Sequence, residues 1–181
     1  MNSLVVFESM YGSTHRLADA IASGLRRSGA VTVAPVARAR HERLADFELL
    51  VVGGPTHAHG MSRRSTRQTA IDIAGGAEVA GLEPGADGIG LREWFDGLGL
   101  CSGSAAAFDT RLAGPALLTG RASRGIAAAL ELHGFQLIAE PVSFLLDASN
   151  RLLPDQESAA ERWGADLAAR VRAVPSRPVR R

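Results

Sequence analysis

The sequence predicts an α/β protein built on a mostly parallel sheet, and three observations carry that expectation. Short apolar runs alternate along the chain with longer stretches of helical periodicity. Leu49-Leu50-Val51-Val52 is a continuous apolar run, which suits a central parallel strand covered on both faces. Glycine, proline and hydroxyl residues separate the runs from the helical stretches, as turns require.

Taken in order, Leu4 to Phe7 reads as the first strand. Thr14 to Ser28 follows as a helix whose Leu17, Ile21 and Leu25 recur every four residues, with Gly29 at its C-terminal end. Val31 to Val36 is the second strand, and His41 to Ala45 forms at most a short helix. Glu48 to Gly53 is the third strand, opening into a loop over Gly54 to Gly60. A helix is expected from Ser62 to about Ala74 and another at Leu91 to Leu98. A connection as long as Gly75 to Gly103 needs some internal order in a compact domain. Ala105 to Phe108 is the fourth strand, ending in Asp109-Thr110-Arg111-Leu112. Ser123 caps the next helix, which carries Ile126 and Leu130 and ends at His133-Gly134. Phe135 to Leu146 is the last strand region, broken near Pro141. Asp155 to Val171 closes the fold as a helix with Trp163, Leu167 and Val171 on one stripe. Residues 1–174 are thus expected to form one domain, and the tail 175–181 is expected to be mobile.

Composition narrows the function classes. The 181 residues are 46% hydrophobic and 22% charged, with a formal net charge of +1. That balance gives no overall field for nucleic acid or a membrane surface. All 20 basic Lys/Arg residues are arginine, so lysine chemistry is excluded. Cys101 is the only cysteine, which rules out an intrachain disulfide and a cysteine-built metal site; it is expected to be a small buried hydrophobe. With no signal-peptide pattern and no apolar run long enough to span a bilayer, a cytoplasmic protein is expected.

The chemistry concentrates where the first strand ends. Ser9-Met10-Tyr11-Gly12-Ser13-Thr14 joins that strand to a helix, and a helix start offers unpaired N–H groups and a positive dipole end. Ser9, Ser13 and Thr14 add hydroxyl donors, and Gly12 permits close backbone approach. The spacing Ser-x-Tyr-Gly-x-Thr in its strand-turn-helix setting resembles the FMN phosphate loop of the flavodoxin-like family. Gly53-Gly54-Pro55-Thr56 is similar to that family's first ring-flanking loop, and Ala107-Phe108-Asp109-Thr110-Arg111 to its second. Phe144-Leu145-Leu146, Leu153 to Glu157 and Ala160-Glu161-Arg162-Trp163 are similar to its final strand and helix, so the resemblance spans nearly the whole chain.

That resemblance implies a doubly wound, five-stranded parallel sheet of order 2-1-3-4-5 in a three-layer α/β/α sandwich. Flavodoxin is itself the standard example of this order, with FMN at the strand-order switch. It further implies that Ser9, Met10, Tyr11, Gly12, Ser13 and Thr14 hold the FMN phosphate. Pro55, Thr56, His57, Ala58, His59 and Gly60, with Phe108, Asp109, Thr110 and Arg111, would flank the ring. The function implied is electron transfer with a redox partner protein. The alternative is an FMN-dependent NAD(P)H:quinone oxidoreductase acting on a quinone-like molecule, for which a homo-oligomer is the usual arrangement. A third possibility is a scaffold that has lost the flavin.

Several residues have two readings. His57 and His59 suggest ring packing or a solvated loop ahead of a metal pair, although either could exchange a proton near neutral pH. Arg63 and Arg64 suit an anionic partner or a solvated helix turn. Arg111 suits the ring or a surface ion pair, and Asp109 reads as a turn residue. Trp94, Phe95 and Trp163 read as core. Two features separate the chain from dedicated carriers: the ring loops hold no Trp or Tyr, and the sequence is not acidic.

Overall fold

A computed structural model of the chain describes residues 1–73 and 82–173. Its sheet runs β2 (Ala30–Pro35), β1 (Asn2–Phe7), β3 (Leu49–His57), β5 (Gly103–Leu112), with the last position shared by β6 (Phe135–Leu137) and β7 (Val142–Leu146). All these pairings are parallel. Counting β6 and β7 as one interrupted strand, this is the expected order, and the break falls beside Pro141. β4 (Gly60–Met61) is an addition, a short antiparallel return on β3.

Alternation along the central strands builds two cores. Leu4, Val6, Leu50, Val52, Ala105 and Ala107 face α4 (Leu91–Asp96) and α6 (Ala122–Leu132), where Trp94, Phe95, Ile126 and Leu130 pack. Val5, Phe7, Leu49, Val51, Ala106 and Phe108 face α1 (Ser13–Arg26) and α7 (Gln156–Ala173). α1 and α7 approach closely because Gly24 and Gly164 lack side chains. A β-carbon on Gly24 would lie 2.1 Å from the Glu161 carbonyl oxygen, and one on Gly164 would lie 2.2 Å from that of Ile21.

Several boundaries differ from those expected. A short helix α2 (Val36–Ala39) directly follows β2, and the helical turn within His41 to Ala45 is limited to a 3₁₀ turn at Leu44–Asp46. Gly54 to His57 is not loop but strand: β5 pairs Gly54 with Asp109 and Pro55 with Thr110, and β4 pairs Thr56 with Met61 and His57 with Gly60. For the same reason Asp109 to Leu112 is strand. Ser123 does not cap α6: it lies inside the helix and its N–H is itself capped. Cys101 is partly exposed. The tail 175–181 and the start of the glycine-rich connection, 75–81, lie outside the described residues. No helix among the described residues is long and apolar enough to cross a membrane.

Candidate functional site

The loop after β1 is fixed from below. Glu8 N–H donates to the Gly53 carbonyl at 3.0 Å, and the buried Glu8 carboxylate accepts the Leu91 N–H at 2.8 Å and the Ser62 hydroxyl. Arg67, an almost fully buried residue of α3 (Arg64–Ile73), donates to Ser62 at 3.1 Å and to Glu93 at 3.0 Å. Burial pushes the Glu93 carboxyl up, yet the hydrogen bonds from Arg67 and from backbone N–H groups outweigh it and hold the group below the usual range. This network is what the loop rests on.

Gly12 turns the chain into α1 with φ +85°. Its N–H is taken by Ser9 Oγ at 3.1 Å, and a β-carbon there would meet nothing within 4 Å. The first intrahelical bond runs from Arg16 N–H to the Gly12 carbonyl at 3.0 Å, which leaves the N–H groups of Ser13, Thr14 and His15 outside the helix ladder. The donor set offered to an anion is therefore mainly backbone. The hydroxyls do other work: Ser13 Oγ donates to the Asn150 carbonyl at 2.6 Å, and Thr14 Oγ1 meets Thr110 Oγ1 at 2.9 Å.

Two walls stand beside this loop. β3 ends in a hairpin whose tip residues Ala58 and His59 both have positive φ, 44° and 73°, the geometry of a two-residue hairpin turn usually built from Asn and Gly. The second wall is the end of β5 and the turn beyond it. There Arg111 spans the backbone, one guanidinium nitrogen donating to the Gly114 carbonyl at 2.9 Å and to Thr119 Oγ1 at 3.0 Å. No ion pair involves Arg111 among the described residues.

A narrow cleft of about 60 Å³ runs between the walls, lined by Met10, Tyr11, Ser13, Thr14, Pro55, Thr56, His57, Thr110 and Arg111 among the expected residues. Leu112, Leu146 and Asn150 also line it and were not expected. Asn150 could have been suspected, since Asp147-Ala-Ser-Asn150 is a turn signal after the last strand. Phe108 and Asp109 do not reach the cleft. Phe108 is core, edge-on to Phe144 and Trp163, and Asp109 is fully buried with Oδ2 accepting the Ser123 N–H at 2.7 Å. With Thr56 Oγ1 accepting the Ala122 N–H at 3.0 Å, Asp109 caps α6 where the helix dipole favours a negative charge.

The two histidines part company. His57 lines the cleft, and His59 lies across the hairpin tip, bridged to Gly120. Burial lowers the His57 pKa and nearby Arg67 adds to this against the pull of Glu8, so the ring is neutral at neutral pH. Among the described residues no cluster of His, Cys, Asp or Glu could hold a metal ion.

A larger recess of 480 Å³ lies on the β2 side of the loop, between Pro35, Glu83 and Ile89. It shares only Ser9 with the expected residues. The narrow cleft, where the free N–H groups and both strand ends converge, is the better candidate despite its size.

Residues 5–83 match the family model described as flavodoxin. The fold aligns with a flavodoxin from the domain Archaea at 19% identity and TM-score 0.62, over 95% of this chain and 99% of that one. The fold and the family match agree. Its fold is flavodoxin-like. Oxidised flavodoxin 1 from Bacillus cereus aligns at 17% identity and TM-score 0.63, over 97% of this chain and all of that one. Rubredoxin oxygen:oxidoreductase of Desulfovibrio gigas aligns at 16% identity and TM-score 0.62, over 97% of this chain but 37% of that protein. No curated protein matches the sequence significantly.

Proposed function

We propose that the protein binds FMN across the narrow cleft and transfers electrons between a donor and a partner protein. The observation that carries this reading is the set of N–H groups at Ser13, Thr14 and His15, free of the helix ladder beside a Gly12 turn with open space above it. These groups and the Ser9 hydroxyl fit a phosphate. Pro55, Thr56, His57, Thr110 and Arg111 would face the ring. Bound there, FMN would supply one- and two-electron redox chemistry; the chain's part is to hold, orient and polarise. Arg111 places positive charge at the cleft and His57 a neutral ring. A single domain over residues 1–174, located in the cytoplasm, belongs to the same reading.

His57 favours a second reading, NAD(P)H:quinone oxidoreduction. A neutral imidazole at the cleft can accept or return a proton as a quinone is reduced. One titration separates the readings. FMN added to the apo-protein should lose its fluorescence, and failure to bind at micromolar FMN would remove both. Direct bleaching by NADPH without a reductase favours the oxidoreductase; bleaching only with a reductase favours the carrier.

A further inference from the structure

Two segments of the chain carry arginines and no acidic residue. Between Gly54 and Ile71, and again between Thr110 and Leu130, the sequence contains no carboxylate, yet these segments carry Arg63, Arg64, Arg67, Arg111, Arg121 and Arg124. Arg67 is buried against Glu93, and none of the other five forms an ion pair among the described residues. The two segments meet in space. His59 is bridged to Gly120, and Gly125 packs against Met61 of the hairpin. With a formal net charge of +1 overall, these carboxylate-free segments carry a local excess of positive charge.

Leucines stand exposed among these charges. Leu117 is 92% exposed, Leu118 69% and Leu112 46%, all on β5 and the short helix α5 (Ala116–Thr119) just beyond it. Leu117 shares a shallow surface recess with His59, Arg121 and Arg124. Leu112 and Arg111 also line the candidate cofactor cleft, so the patch and the cleft are continuous. An apolar centre with a charged rim is the anatomy of a protein interface rather than of a phosphate-backbone site.

We propose that this face docks an acidic protein. Carboxylates on the partner would pair with Arg63, Arg64, Arg121 and Arg124 while an apolar side chain covers Leu117 and Leu118. Docked there, the partner would sit against the rim of the cleft. The proposal rests on the electron-transfer reading for its purpose, but not for its test.

The test is binding of two labelled probes, an acidic [2Fe–2S] ferredoxin and the basic cytochrome c, to apo- and FMN-treated protein. Ferredoxin is expected to bind at about 20 mM salt and to weaken about tenfold by about 200 mM, as rim electrostatics are screened. The variant Arg63→Glu/Arg64→Glu/Arg124→Glu should weaken it about tenfold, by loss of steering. Leu117→Ser should weaken it with the salt dependence unchanged, and Arg43→Glu, at the opposite end of the sheet, should leave it as it was. Thermal unfolding checks that each variant folds. The proposal is overturned if ferredoxin does not bind, if cytochrome c binds as well, or if Arg43→Glu acts as strongly as the triple variant. It is equally overturned if duplex DNA or anionic vesicles bind more tightly through the same arginines, or if Leu117 is covered by a second copy of this chain in sedimentation. Docking retained by a protein that takes no FMN counts against the electron-transfer reading alone.

Discussion

Thr14 and Thr110 join the two halves of the candidate site through a single hydroxyl contact of 2.9 Å. Thr14 lies in the first turn of α1 and Thr110 near the end of β5, and both are almost fully buried. The contact sets the distance between the loop after β1 and the second wall. Thr110→Val keeps the shape and strands the Thr14 hydroxyl, at a cost of about 1–3 kcal/mol. Urea denaturation should show that loss, and FMN affinity should fall with it, since the loop is no longer tied to the wall.

Gly12 matters for its conformation, not for space. Its φ of +85° disfavours any side chain, while a β-carbon would touch nothing. Gly12→Ala should cost about 1–2 kcal/mol, and Gly12→Asn less, because asparagine visits this region more readily. Thermal unfolding of the two variants checks the order. Equal losses would mean that the turn is not held as described.

Gly53 is the opposite case. A β-carbon there would fall 2.2 Å from the ring of Phe108, which has no exposure and no room to move. Gly53→Ala should destabilise by about 1–3 kcal/mol through overpacking. Phe108→Leu in the same chain should recover part of that loss, a coupling that a double-mutant cycle measures.

The depressed pKa of His57 gives stability a pH dependence of known sign. The unfolded chain takes up a proton near the usual 6.5 while the folded chain resists it until lower pH. Stability from this group is therefore present above about 6.5 and is lost as pH falls through the folded value. His57→Asn should flatten the urea midpoint between neutral and mildly acidic pH. Glu93 acts in the same direction at lower pH: its contribution is present above the usual 4.5 and lost as pH falls through the depressed value, so Glu93→Gln should flatten that limb.

Much of this was legible in the sequence because it is carried by local pattern. The apolar runs at Leu4 to Phe7 and Leu49 to Val52 give a covered sheet, and Leu17, Ile21 and Leu25 give the helix that covers it. The turn from Ser9 to Thr14 could be read for the same reason, since a strand, a turn and a helix start are adjacent in the chain. What the sequence concealed depends on distant partners. Gly54 to His57 looks like loop until β5 and β4 are placed beside it, and Phe108 looks like a ring wall until Phe144 and Trp163 close on it. Asp109 shows its role only against the N-terminus of α6.

The central claim is that backbone N–H groups at the start of α1 take the phosphate of FMN, and amide NMR tests it most directly. Titrating ¹⁵N-labelled apo-protein with FMN should move the Ser13, Thr14 and His15 amide signals most. Riboflavin, which lacks the phosphate, should leave those three nearly in place. Shifts centred instead on Pro35-flanking residues and Ile89, or no shift at these amides with either ligand, would contradict the account.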